Sequence, residues 1–364
     1  MSHINYSTDI PKHYVRRNGW LSACRKQAAF VKKRSKRIPL RYFTFCAADA
    51  IDVFMLEREG VVKRSEDSGR LEGVYFCEKD DEAFGTIAAL IGSPEQGFRG
   101  KFEKIVLFSD DDTEGKSIED DVPFTSEVRK KLQYKDAHSR FQSSFPFDII
   151  NLDVVGVLFP LRKGIITPLL KSIIQILQWQ TESNFSINNK ASDQFTLFLT
   201  SHIDPDRTDR EAIGQLKNRL RDNLAYEKFR IEFGNKFGHE DVDKLAGEQF
   251  SEFFCVALPK YFIHHALFTL GWKVVHGPSF LYARENKWGE NKTYQIMHSV
   301  SVFERIPDFE QRLDQPTIST YTDAVIEILA KGIVLVDALI ENPENSTMLE
   351  EDLRQIVEYR DRFS

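Results

Sequence analysis

The order of apolar and polar runs along this chain predicts an α/β fold: a largely parallel sheet of strand-helix units, closed by an antiparallel hairpin and extended by added helices. Three observations carry that expectation. The stretch "FPFDIINLDVVG", Phe145 to Gly156, is apolar without alternation, as a strand must be when helices cover both of its faces. Strand patterns give way to helical ones five times between Arg41 and Leu270. Two late strand patterns then flank the turn residues "KWGENK", the signature of a hairpin.

Each element follows in order. "RYFTF" is an aromatic and β-branched run, followed by the small residues of "CAADA" and a helical pattern through Ile51, Phe54 and Met55 that ends at Gly60. After the polar "KRSEDSGR", a second strand runs to about Cys77, and acids open a helix with Phe84, Ile87, Ala88 and Ile91 on one face. "FEKIVLFSDDD" reads as the third strand, and Thr113 to Ser144 as a polar, partly helical excursion. The fourth strand is the "FPFDIINLDVVG" run, with a helix from about Thr167 to Gln180, and "QFTLFLTSHID" is the fifth strand. Residues 207–270 read as a helical insertion broken at "FGNKFGHED". "SFLYAREN" and "TYQIMHSVSVFER" form the hairpin, and the tail is two helices split at "ENPENS". The organisation expected is a basic arm over residues 1–41, a main domain over 42–316, and a helical extension over 317–364 that offers an apolar face to a protein partner or to a second copy.

Charge is unevenly spread. Eleven of the 49 Lys and Arg but only one of the 55 Asp and Glu precede Tyr42, so the arm carries +10 and the remainder −16. Lys32, Lys33, Arg34, Lys36 and Arg37, interleaved with Tyr14, Trp20, Phe30 and Tyr42 along the arm, suit phosphate contact with stacking on unpaired bases; the same arm can instead pack against its own acidic body. Cys24, Cys46, Cys77 and Cys255 lie too far apart for a zinc or disulfide framework, which points to no metal and to a reducing, cytoplasmic setting. No stretch reads as a signal peptide or a membrane span.

In open α/β sheets ligands sit beyond the carboxyl ends of the strands, which puts Asn151 and Asp153 where a site is expected. Asp153 can equally cap a helix or pair with a buried base, and Asn151 can be an ordinary strand-end hydrogen bonder. His202, Asp204 and Asp206 after the fifth strand suit acid-base or metal work, or simply a helix-start turn. His264 and His265 fall in an apolar helical run and read as packing.

Five strand-helix units closing on a hairpin resemble the Rossmann-like fold of class I S-adenosylmethionine (SAM)-dependent methyltransferases. The small-residue turn "FCAADAIDVFML" is similar to that of the tRNA guanosine dimethyltransferase family, which carries Asp-Pro-Phe-Gly where this chain has Asp153, Val154, Val155 and Gly156. The "EKD" after the second strand is similar to that of the three-Cys-motif partner proteins. The resemblance implies SAM as cofactor, held by Ala47, Ala48 and Asp49 at the first turn, by Glu78 on the ribose hydroxyls and by Asp110 or Asp111 near the adenine; Asp49, like Asp52, can instead cap the helix start, and Glu78 can be an acid that offsets the helix macrodipole. It also implies transfer to nucleic acid, RNA above all, with Asp153 or Asn151 accepting a hydrogen bond from the nucleophile. The first turn carries alanines where that class commonly carries glycines, and Val154-Val155 replace a Pro-aromatic pair. Those departures favour the alternative of a non-catalytic methyltransferase-fold binding module in a multi-component bacterial system. A metal nuclease built on His202 is a third reading.

Overall fold

Eight strands line up in one sheet in the computed structural model, which describes residues 9–34, 39–105, 136–161, 167–185, 193–285, 293–306 and 318–363. They are β1 (Tyr42–Thr44), β2 (Val74–Glu78), β3 (Gly97–Arg99), β4 (Ile149–Val157), β5 (Gln194–Ile203), β6 (Trp272–Glu285), β7 (Thr293–Arg305) and β8 (Ile333–Leu335). The order across the sheet is β3-β2-β1-β4-β5-β7-β6-β8. Strands β1 to β5 pair in parallel, β7 runs antiparallel to both β5 and β6, and β8 runs parallel to β6. The chain is an α/β protein with a mixed sheet.

The sheet is buried on both faces, which explains the unbroken apolar strands. Tyr42, Ile149 and Phe198 point to one core and their neighbours Phe43, Ile150 and Leu197 to the other. The first core is covered by the N-terminal helices α1 (Ile10–Val15) and α2 (Ser22–Arg34), joined by a π-helical turn Arg16–Leu21, and by α3 (Ile51–Arg58) and α4 (Asp81–Ile91). The second is covered by α5, described over residues 136–143, and by α6 (Pro168–Phe185), α7 (Arg210–Asn223), α8 (Glu227–Phe237), α9 (Glu248–His265) and α10 (Ile318–Lys331). The short α11 (Val336–Ile340) and α12 (Pro343–Arg360) return to the first core, where Leu353 and Ile356 pack.

Local chemistry sets the boundaries. Asp80 accepts the amides of Glu82 and Ala83 at the start of α4, and Asp209 does the same for Glu211 and Ala212 in α7. Thr167 takes the amide of Leu170 at 3.1 Å and opens α6 where the sequence predicts. Gly238, at φ 76°, ends α8.

Four expectations need correction. The third strand is β3 at Gly97–Arg99, ahead of "FEKIVLFSDDD"; residues 102–104 of that stretch form a 3-10 turn and 106–112 lie outside the described residues. The break in the insertion begins at Gly238, because α8 continues through Gly234 to Phe237. Strand β6 starts seven residues earlier than "SFLYAREN", and a register shift between His276 and Ser279 absorbs Pro278. A short edge strand, β8, interrupts the tail, and the expected turn at "KWGENK" lies outside the described residues. The helix-plus-turn Glu248–Leu270 is long and apolar enough to cross a membrane by composition, and 67% of that window is buried inside the fold.

Candidate functional site at the carboxyl edge of the sheet

The turn after β1 is tight: the amide of Ala50 donates to the carbonyl of Ala47 at 2.8 Å, and Ala50 adopts φ 46°, the one positive φ at a non-glycine among the described residues. No side chain caps the start of α3, which lies beside the half-buried Ala47 and Ala48. Asp49 turns aside and pairs with Arg360 at 3.5 Å. Asp52 turns inward. Its Oδ2 accepts the hydroxyls of Tyr42 (2.7 Å) and Thr44 (2.8 Å), while Asn151 donates Nδ2 to Tyr42 Oη at 3.0 Å. Burial, then the charge of Asp52, pushes the Tyr42 phenol well above its ordinary pKa. Asn151 is fully buried, and its Oδ1 is left without a partner.

Glu78 stands at the end of β2. Its Oε1 accepts the amides of Lys79 (2.7 Å) and Asp80 (2.8 Å), and its other oxygen has no hydrogen-bond partner among the described residues. Asp110 and Asp111 lie outside the described residues.

Asp153 meets the N-terminal arm. Asp9 caps α1 and Pro11 stands in its first turn, and that helix brings the Lys12 ammonium onto Asp153 Oδ2. Burial raises the Asp153 pKa, but the charge and hydrogen bond of Lys12, with Arg16 nearby, outweigh it and hold the carboxyl below its usual range. In register beside it on β5 and β7 stand Thr200 and His298. Thr200 and His298 Nδ1 are 2.8 Å apart, and Trp20 from the π-helical turn donates its indole N–H to the same imidazole. Burial pulls His298 down to about 3, so the ring is neutral, with Nε2 accepting from Trp20 and Nδ1 donating to Thr200.

The arm is therefore part of the fold in its first half. Lys12 and Arg16 are buried, Arg17 and Arg25 both pair with Glu59, and Val15, Trp20, Leu21 and Cys24 are core residues. Lys32 and Lys33 are exposed on α2; the side chain of Arg34 and all of Lys36 and Arg37 lie outside the described residues. The C-terminal extension likewise packs on the body, with Val325 and Ile328 of α10 in one core and Leu349, Leu353 and Ile356 of α12 buried, leaving Leu335, Leu339 and Met348 exposed.

Beyond Asp153 the register of β4 shifts, Gly156 adopts φ 128°, and the strand opens onto a cavity of about 510 Å³. His202 and Tyr294 form one wall and Asp204, Arg207, Pro160 and Leu161 the loops around it. Burial first, then the charges of Arg284, Lys12 and Arg207 against that of Asp153, lowers His202 to about 4. Sequence reasoning reached His202 and Asp204, and missed Arg207, Tyr294, Lys12 and Arg16. Basic residues at positions 12 and 16, one turn apart and flanking the apolar Val15, were the available signal for a buried basic face. No group of three or more metal-ligating side chains clusters among the described residues.

The family described as PP_RS20740-like matches residues 131–306. That stretch holds β4 to β7 and both loops of the cavity, and leaves out the arm and β1 to β3. No curated protein and no solved structure matches the chain.

Proposed function

We propose that this chain is a SAM-dependent methyltransferase, or a methyltransferase-fold protein, acting on nucleic acid, with RNA as the expected substrate. The observation that carries the reading is the strand order β3-β2-β1-β4-β5-β7-β6, with β7 the one antiparallel strand of those seven, as the resemblance of the sequence implies. The donors and acceptors at the β1–β2 edge fit the cofactor. The uncapped amides of α3 suit its carboxylate, and the open oxygen of Glu78 suits the ribose hydroxyls.

When bound, the cofactor supplies an electrophilic methyl group on sulfonium. The protein's part is positioning. Asp153, kept ionised by Lys12 and Arg16, presents an Oδ1 that has no hydrogen-bond partner among the described residues and accepts the N–H or O–H of the substrate nucleophile. A carboxylate so stabilised is a weak base, so it orients the nucleophile and leaves the proton in place until the methyl is transferred.

The binding-module alternative has its own support: Lys12 engages Asp153 from within the same chain, and Asn151 has no exposed surface. Calorimetric titration with SAM, followed by transfer of labelled methyl to RNA, separates the two. SAM binding with transfer supports the enzyme, and SAM binding without transfer to any RNA supports the module.

A further inference from the structure

We propose that the cavity between the ends of β4 and β5 binds a nucleoside monophosphate unit, its ring against the His202–Tyr294 pair and its phosphate on Arg207. The assignment concerns a different part of the edge from the cofactor contacts and does not require SAM to bind.

The cavity is built before any ligand arrives. The loop after β4 and the loop after β5 are stitched together: Pro160 bridges to Thr208, the amide of Leu161 donates to the carbonyl of Arg207 at 3.0 Å, and the amide of Asp209 donates to the carbonyl of Phe159 at 2.8 Å. A space of about 510 Å³ is in the range of small-molecule sites and accommodates one nucleotide. Its aromatic wall is rigid, with the His202 and Tyr294 rings 4.5 Å apart at 30°, presenting apolar ring surface from two β-strands. A neutral imidazole there stacks on a base without competing for the anion.

Charge selects the rest of the ligand. Arg207 is exposed at the rim and makes no ion pair among the described residues. Outside the lining, Lys12 engages Asp153, Arg284 lies 3.2 Å from Asp9, and the charge of Arg16 acts on Asp153 without a direct ion pair among the described residues. Arg16 is 4% exposed, and its Nε and Nη1 have no hydrogen-bond partner. At the cavity itself the cations Arg284, Lys12 and Arg207 all act on His202 against Asp153, a balance that favours an added anion. Asp204, whose Oδ1 accepts the amide of Asp206 at 3.0 Å, also lines the cavity, and its charge disfavours a bare anion at that side. A stacking wall and a rim cation, one nucleotide's volume apart at most, match a base and its phosphate.

The same unit can come from a free mononucleotide or from a single-stranded RNA, and the experiment separates them. The full chain is titrated by calorimetry with the four ribonucleoside monophosphates, with a short unstructured RNA and with inorganic phosphate. Variants Arg207→Ala and Tyr294→Leu are measured alongside Glu78→Ala, each first checked for a wild-type urea midpoint. Saturable binding is expected for a mononucleotide, for the RNA or for both, weakened about tenfold or more by Arg207→Ala and by Tyr294→Leu and unchanged by Glu78→Ala. Binding of the RNA alone identifies the source as an RNA nucleotide. The proposal is overturned if neither ligand binds, if inorganic phosphate binds as tightly as the nucleotides, or if Glu78→Ala abolishes binding that Arg207→Ala and Tyr294→Leu leave intact. That last pattern returns the ligand to the cofactor edge and leaves the SAM reading standing.

Discussion

Replacing Lys12 by Met tests whether the N-terminal arm is locked to the sheet by its ion pair. Side chains at this contact are 8% and 14% exposed, so the pair is largely removed from water. Removing one partner of a buried pair costs about 3–5 kcal/mol because the other charge stays buried. Arg16, which already stabilises the Asp153 anion, takes up part of that loss and puts the expected figure at the lower end, about 3 kcal/mol. With a urea slope of about 3 kcal/mol per molar for a chain of this size, the midpoint falls by about 1 M. Asp153→Asn is expected to cost about 2–3 kcal/mol, since it strands the ammonium, whose stem can shift toward water. The double variant, carrying no charge at either position, is expected to recover about 2 kcal/mol of the summed losses. Urea unfolding followed by tryptophan fluorescence and by circular dichroism reads all three. If each single variant moves stability by less than about 0.5 kcal/mol, or the two losses simply add, the pair does not hold the arm and Asp153 is free for another role.

Acid titration and the exposed part of the arm give two further expectations. Burial lowers His276 and His298 to about 3 and His202 to about 4 from an ordinary value of 6.5. The unfolded chain therefore takes up these protons from about pH 6.5 downward while the native state refuses them until about pH 3–4, so stability is full above that window and falls through it by about 1.4 kcal/mol per pH unit per histidine. A urea midpoint that stays constant from about pH 7 to pH 4.5 refutes the assignment of these rings as neutral. Replacing Lys32, Lys33, Arg34, Lys36 and Arg37 with Ser is expected to weaken RNA binding at every sequence and to flatten its salt slope by several units, read by fluorescence anisotropy; equal binding by the variant removes α2 from the nucleic-acid surface.

Most of the sheet was legible because its strands declare their environment. Ile149 and Ile150 face opposite cores, so "DIINL" has no polar alternation, and acids at Asp80 to Glu82 announce α4. Strand β3 was hidden for a physical reason. A Cβ at Gly97 would lie 2.5 Å from the rings of Phe76 and Phe84, so the strand needs the residue that makes "EQGFRG" look like a turn. Strand β8 was masked because Ile333 and Leu335 also fit the helical spacing of the tail. The candidate site was legible only where one strand end held its residues, as at Asn151, Asp153 and Glu78. The Lys12–Asp153 contact joins positions 141 residues apart, and the cavity needs two loops brought together by a backbone bridge; no local pattern encodes either.

The central claim, a SAM site at the carboxyl ends of β1 and β2, is tested most directly by calorimetric titration of the full chain with SAM. Saturable heat is expected, weakened by about 1–3 kcal/mol in Glu78→Ala because the ribose hydroxyls lose their acceptor. No heat and no thermal shift at millimolar SAM, from a protein that unfolds cooperatively, contradicts it.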